Sequence, residues 1–419
     1  MVMWLIVAGA RDLKNVLEQL KIRAENKTRD KSDHILSKAY DEAMERIEQL
    51  SPAHRDLAHR VLSWICCARR ELGTKEIQHA LALRDGDAQL HRDGSPEAEL
   101  LVSVCCGLVT VNEKSRTIRL VHYTAQDYFE QNRKVFFPHA HAHIAKQCIN
   151  YISLSVFGHE VSPSLRHRIR LSPEYPLYEY AALNWGIHAR NALPSNHVEK
   201  AALKFLSQGK MALAAAEVQP HMPPIWRRGR EWSWVRPAPP SPANGLHLAA
   251  YYGLSCLLPD LTKQYGINSK SAQGLTALRF AVDGGHTATV ELLLREDPDL
   301  NIQDSKGRTV LMRAAEEGSL AIVTLLMGNQ PNLDLKDHGG ETALLKAMKR
   351  SGAPEGDYQG IIELLFEKGA DPNWKPIRER KPPTEADSEG SCKIDGDVSE
   401  DVSEDASEDV SEDASEDVS

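Results

Sequence analysis

The 419-residue sequence predicts a mostly α-helical chain: a solenoid of stacked helix pairs toward the C-terminal end, a helical block with one small β-hairpin ahead of it, and an acidic tail after it. Three observations predict this. Gly274-Leu275-Thr276-Ala277-Leu278 recurs 33 residues later as Gly307-Arg308-Thr309-Val310-Leu311, and again 33 residues on as Gly340-Glu341-Thr342-Ala343-Leu344. The apolar period within residues 52–132 switches from helical to alternating and back. Residues 384–419 carry fifteen acidic residues and one Lys, so subtracting their charge of −14 from the net −9 leaves +5 for the rest of the chain.

Residues 1–50 read as N-terminal helices. The apolar run Met1–Ala10 lacks the positive charge of a signal peptide and is too short to span a bilayer; a core helix or the remnant of a longer ancestral chain is expected. Leu13, Val16, Leu17 and Leu20 share one helical face, and Ala43, Met44, Ile47 and Leu50 another, with the polar stretch 25–34 between them.

Residues 51–135 form the second block. Leu57, Val61, Leu62, Ile65 and Cys66 make a helical stripe. Thr74 is expected to cap a short helix carrying Ile77, Ala80 and Leu81. Ser95-Pro96-Glu97 has the cap, proline and acid of a third helix start. Strands Leu108–Val111 and Thr117–Val121 turn at Asn112–Ser115, and a last helix begins near Thr124. Three helices and a β-hairpin describe a winged helix.

LSWICCARRELGTKEIQHALAL (62–83) followed by LVSVCCGLVTVNEKSRTIRLVHYTAQDYFEQ (101–131) resembles the winged-helix segment of fungal NACHT–ankyrin proteins, a winged helix named elsewhere after a GPI inositol-deacylase. YDEAMERIEQL (40–50), HAHIAKQCINYISLSVF (141–157) and PLYEYAALNWGIHAR (176–190) resemble its flanking helices. Together with the 33-residue frame, the resemblance covers roughly 35–195 and 243–375. It implies a signalling scaffold in which a NACHT ATPase switches and ankyrin repeats sense. The sequence contains no G-x-x-x-x-G-K-[ST] phosphate loop, and the stretch before Asp41 is too short for a nucleotide-binding domain. Residues 1–50 are therefore expected to be a remnant of the NACHT region, and this chain to carry no nucleotide site and no cofactor.

A helical connector is expected over 136–219, ending in a helix Val198–Ala216 with Ala201, Ala202, Phe205 and Leu206 on one face. Residues 220–242 form a Pro- and Trp-rich linker whose prolines block regular structure. Residues 243–375 hold four ankyrin units. The first is degenerate, at Leu246-His247-Leu248-Ala249-Ala250, and the fourth is stretched by Ser351–Asp357. Asn268, Asn301 and Asp334, each six residues before a frame Gly, are expected to hold the turns; Thr276, Thr309 and Thr342 are expected to cap the inner helices. The tail 376–419 alternates Ser-Glu-Asp-Val and Ser-Glu-Asp-Ala and is expected to be disordered.

Chemistry-bearing patterns are few. His139, His141 and His143 provide at most two ligands on one helical face, so no metal is expected. The seven cysteines lack a C-x-x-C and read as buried, reduced thiols. The interleaved bases and aromatics of Trp226–Trp234 read as a linker docking on a neighbouring domain. Neither G-x-S-x-G nor H-E-x-x-H occurs, and no enzyme activity is expected. The third winged-helix segment, Glu97–Cys106, has two acids and no Lys or Arg, which argues against nucleic acid.

The reading is a non-catalytic, cytoplasmic scaffold or sensor, with the nucleus as an alternative address. It takes a protein partner on the ankyrin surface and no membrane. By register the contacting tips are Gln273, Lys306, Arg308, His338 and Glu341; the inner-helix positions are Asp283, Arg313, Glu316, Lys346 and Lys349. Charge reversal at Arg308, Arg313 and Lys346 is expected to weaken binding without unfolding. The alternatives are a nuclear regulator whose winged helix reads DNA and whose acidic tail activates, and a nucleotide-driven switch whose upstream exons were missed in the gene model.

Overall fold

Helix α1 (Arg29–Glu48) lies against α5 (Tyr123–Phe136) because two tyrosines join them. Tyr40 bonds Thr124 Oγ1 at 2.7 Å, and the Tyr128 hydroxyl donates to Asp41 Oδ1. Ala43, Met44 and Ile47 are buried as their periodicity predicts; the helix begins inside the stretch expected to separate two helices. The computed structural model describes residues 29–90, 95–157, 172–209, 244–353 and 356–371. The first N-terminal helix, the Trp226–Trp234 stretch, Cys392 and the acidic tail lie outside them.

Between α1 and α5 come α2 (Pro52–Cys67), strand β1 (Leu72–Gly73), α3 (Thr74–Ala82), α4 (Ala98–Val104), β2 (Val109–Asn112) and β3 (Thr117–Leu120). The hairpin is as expected, but β1 makes it a three-stranded antiparallel sheet of order β1-β3-β2, with Leu72 opposite Ile118. A two-residue strand carries no alternation to detect. The helix starts also differ from expectation. Gly73, not Thr74, is the N-cap of α3: Glu76 reaches back to the Gly73 amide at 2.6 Å, while the Thr74 hydroxyl donates to the Arg116 carbonyl at 3.0 Å. The N-cap of α4 is Glu97, two residues past Ser95. Helix α2 also buries Trp64 fully, seven residues past Leu57 at the edge of the predicted stripe, where its ring meets Tyr180 at 5.8 Å. Cys66, Cys67, Cys105, Cys106 and Cys148 are buried free thiols, whereas Cys256 is exposed.

The chain continues through α6 (Ala140–Ile152), α7 (Tyr178–Ala192) and α8 (Asn196–Ser207). α6 packs along α7. Ala202, Phe205 and Leu206 are buried on one face of α8, and the helix stops at Ser207, short of the expected Ala216.

Four antiparallel helix pairs follow: α9 (Gly245–Tyr252) with α10 (Leu258–Tyr265), α11 (Ala277–Asp283) with α12 (Thr287–Leu294), α13 (Val310–Glu317) with α14 (Leu320–Met327), and α15 (Ala343–Arg350) with α16 (Tyr358–Glu367). Thr276, Thr309 and Thr342 cap the inner helices, accepting from the amides of Arg279, Met312 and Leu345. Asn244 does the same for the first unit, accepting from His247 N at 3.2 Å. The extra residues of the fourth unit fall between its two helices, and at their end Asp357 N donates to the Gly318 carbonyl of unit three at 3.0 Å.

The frame glycines Gly274, Gly307 and Gly340 have φ near +75, +75 and +73°. At Gly307 a Cβ would also approach the His338 amide nitrogen to 2.9 Å. Gly307→Ala is expected to cost at least about 1 kcal/mol of stability, because an L-residue strains in this region. Gly352→Ala, which meets no atom within 4 Å, should stay within about 0.5 kcal/mol. Urea unfolding of both variants checks this.

Candidate partner-binding surface

Each 33-residue step projects a hairpin finger held by one side chain three residues before the frame glycine. Ser271 Oγ accepts from the amides of Gln273 and Leu275 at 3.3 and 3.2 Å. Asp304 Oδ1 accepts from Lys306 and Arg308 at 2.8 and 2.9 Å, and Asp337 Oδ1 from Gly339 and Glu341 at 3.0 and 2.9 Å. These residues, not Asn268, Asn301 and Asp334, hold the turns. Asn268 and Asn301 instead bridge units: their Oδ1 atoms accept from Asp299 N and Asn332 N at 3.0 and 2.9 Å. Neighbouring fingers are tied backbone to backbone, Ser305 N to Gln273 O at 2.8 Å and His338 N to Lys306 O at 3.0 Å. The result is a rigid row whose tips, Gln273, Lys306 and His338, are exposed.

The other proposed contact positions are engaged within the protein. Asp304 Oδ2 pairs with Arg308 at 2.9 Å and with Arg279 at 3.5 Å. Arg279 pairs with Asp283 at 3.2 Å, Asp283 with Arg313 at 2.7 Å, Arg313 with Glu316 at 3.3 Å, and Glu316 with Arg308 at 4.0 Å. Six side chains of alternating charge thus close a ring across units two and three, and Glu317 joins it at Arg313. In unit four Lys346 is buried, with its Nζ 2.7 Å from Asp337 and 3.1 Å from Glu341; Glu341 also holds Lys349, whose side chain is 59% exposed.

Arg313 therefore ties unit three to unit two, and Lys346 ties its helix to the finger of its own unit, so reversing their charge would break internal pairs and not merely remove surface contacts. Arg279, Asp304 and Asp337 went unread in the sequence, although Asp304 and Asp337 repeat with the period three residues before Gly307 and Gly340. Burial opposes the Asp304 carboxylate, but the Arg308 and Lys306 amides and the Arg308 guanidinium outweigh it and hold its pKa below the ordinary range. Burial likewise opposes the Arg313 cation, and Asp283 more than compensates.

The histidine run divides. His139 precedes α6 and is exposed, and His143 is half-buried. His141 Nδ1 meets His188 Nδ1 at 2.9 Å; His188 Nε2 bonds the Tyr180 hydroxyl at 2.8 Å, which accepts from Arg69 N at 3.2 Å. No group of three or more His, Cys, Asp or Glu side chains among the described residues could hold a metal ion.

Residues 246–337 and 290–375 match the model of ankyrin repeats in three copies, and residues 44–158 match that of the GPI inositol-deacylase winged helix domain. The chain carries both modules. Over 336 residues it is 24% identical to the azaphilone pigments biosynthesis cluster protein L of Monascus ruber, spanning 70% of this chain and 68% of that one. In the winged helix, α4 has Glu97 at its cap and Glu99 in its first turn, and it turns Leu101 and Val104 into the core. No helix among the described residues is long and apolar enough to cross a membrane.

Asp304→Ala is expected to cost about 2–4 kcal/mol, since it orphans two amides and two guanidinium partners. Lys306→Ala should stay within about 0.5 kcal/mol. Urea titrations distinguish the two. Burial pushes His141 down to about 4 and His188 down to about 3, below the roughly 6.5 of free histidine. With depressed folded values, the stability contributed by these neutral rings is whole above about pH 6.5 and is lost as pH falls toward 4. The urea midpoint should therefore drop between pH 7 and 4.5, and His188→Gln should flatten that drop.

Proposed function

We propose that this chain is a non-catalytic protein-binding scaffold, the sensing part of a NACHT–ankyrin type of signalling protein, acting in the cytoplasm. The observation that carries the reading is the row of three in-register fingers. Their tips are exposed, while Asp283, Arg313, Glu316, Lys346 and Lys349 beneath them are paired within the protein. Such a surface meets a partner without rearranging, because its loops are already fixed by buried acceptors, so little entropy is lost on binding. Gln273, Lys306 and His338 supply the first contacts and Lys349 the exposed cation at the far end; Arg308, Asp283, Arg313, Glu316, Glu341 and Lys346 set the shape they rest on. The presence of an ankyrin array and this winged helix on one chain supports the NACHT-associated setting. With no phosphate loop in the sequence, nucleotide switching is assigned elsewhere.

A photo-crosslinking residue at Lys306 should capture partner protein from the source cell, and one at Glu363 on α16 should not. Alanine at Gln273, Lys306 and His338 together should lower that yield about tenfold or more at an unchanged melting temperature. Equal capture from both positions, or by the triple variant, would overturn the assignment.

A further inference from the structure

The first ankyrin unit is not the end of the stack. All eight residues of α9, from Gly245 to Tyr252, are buried, with no solvent face. A terminal inner helix should keep one side wet, as α15 does at Met348, Lys349 and Arg350. A helix apolar all round is a core element with neighbours on every side. On one side the neighbour is α11; on the other it is α8 and α7.

The contact is close and specific. A Cβ on Gly186 of α7 would meet the Tyr252 ring at 2.3 Å, and one on Gly245 would meet the Leu206 carbonyl oxygen of α8 at 2.3 Å. Trp185 stands edge-on to both Phe205 and Tyr252, with centroids 5.2 and 5.1 Å apart. The carbonyls at the C-terminal end of α8 would be orphans in an isolated helix. Here the Tyr265 hydroxyl, from α10, is shared between those of Leu206 and Ser207 at 3.1 and 3.3 Å, and Gln264 adds a third bond.

We infer that α7 and α8 are the N-terminal capping unit of the ankyrin solenoid, a unit without the 33-residue signature, and that α7 is shared with the winged-helix body. The opposite side of α7 is built into that body. Tyr180 packs on Trp64, accepts from Arg69 N and lies under the Arg70 guanidinium, and His188 bonds His141. Tyr180 and His188 lie two turns apart on one face, and Gly186 lies across from them. In a solenoid, stability passes between nearest neighbours. The Gly186–Tyr252 contact therefore makes the finger array and the winged helix one mechanical body, so a partner that strains unit one acts directly on α7.

Amide exchange on the full chain tests it. Gly186→Ala forces Tyr252 aside, and exchange should speed about tenfold or more in α9 and α10 as well as in α7 and α8. Tyr265→Phe keeps the packing and removes only the hydroxyl, so about threefold faster exchange is expected both in the last turn of α8 and in α10. Tyr358→Phe, which loses its bond to Glu316 O in unit four, should leave α8 unchanged. If α9 and α10 stay protected in Gly186→Ala while α7 and α8 open, the cap assignment fails. Should Gly186→Ala not fold, Tyr265→Phe decides: a change confined to α10 overturns the assignment.

Discussion

A pair of eight-residue helices cannot bury its own apolar faces, and the whole region from Asn244 to Asp371 answers to that constraint. Each unit finishes its core with side chains from the next, so the units must stand in one register at one spacing. The fingers enforce the register. A backbone bond from each finger to its neighbour sets the pitch, and Asn268 and Asn301 repeat the tie at the finger base. The glycines that allow the turn are needed for its positive φ, and at Gly307 the approach of the next finger also leaves no room for a side chain.

The same constraint explains where the charges go. On the inner helices, Arg and Asp side chains from adjacent units come within bonding distance. An unpaired guanidinium there would be costly, so charges alternate until the ring closes. Asp304 links the levels of this structure: one oxygen accepts from the amides of its own finger, and the other receives the guanidinium groups of Arg308 and Arg279. Finger shape and inter-unit packing are therefore fixed by one buried carboxylate.

Much of this was legible in the sequence. The threonine caps were readable because capping is local: a hydroxyl bonds an amide three residues on, and the frame repeats it three times. The stripe of α2 was readable in part, since Val61, Leu62 and Cys66 are buried while Leu57 and Ile65 are half-buried. Trp64 fits the same period, seven residues past Leu57; what the period does not report is its partner, the Tyr180 ring 116 residues on. The finger-holding residues were misassigned because Asn268 and Asn301 look like turn formers, whereas their acceptors are used 31 residues away. Register alone places Lys346 on the exposed face; its burial depends on Asp337 and Glu341 arriving from the finger above it.

The sequence by itself determined the period, the unit count, the winged-helix pattern and the lack of a phosphate loop, because each rests on local spacing or on residue types that no fold can supply. Only the tertiary structure decided which charges are spent within the protein, which tips remain exposed, and where the solenoid begins. Those depend on atoms brought together from positions tens of residues apart. The burial of α9 between α11 and the α7–α8 pair is the clearest case: its eight residues read as a degenerate repeat, and only their neighbours show them to be the joint between two modules.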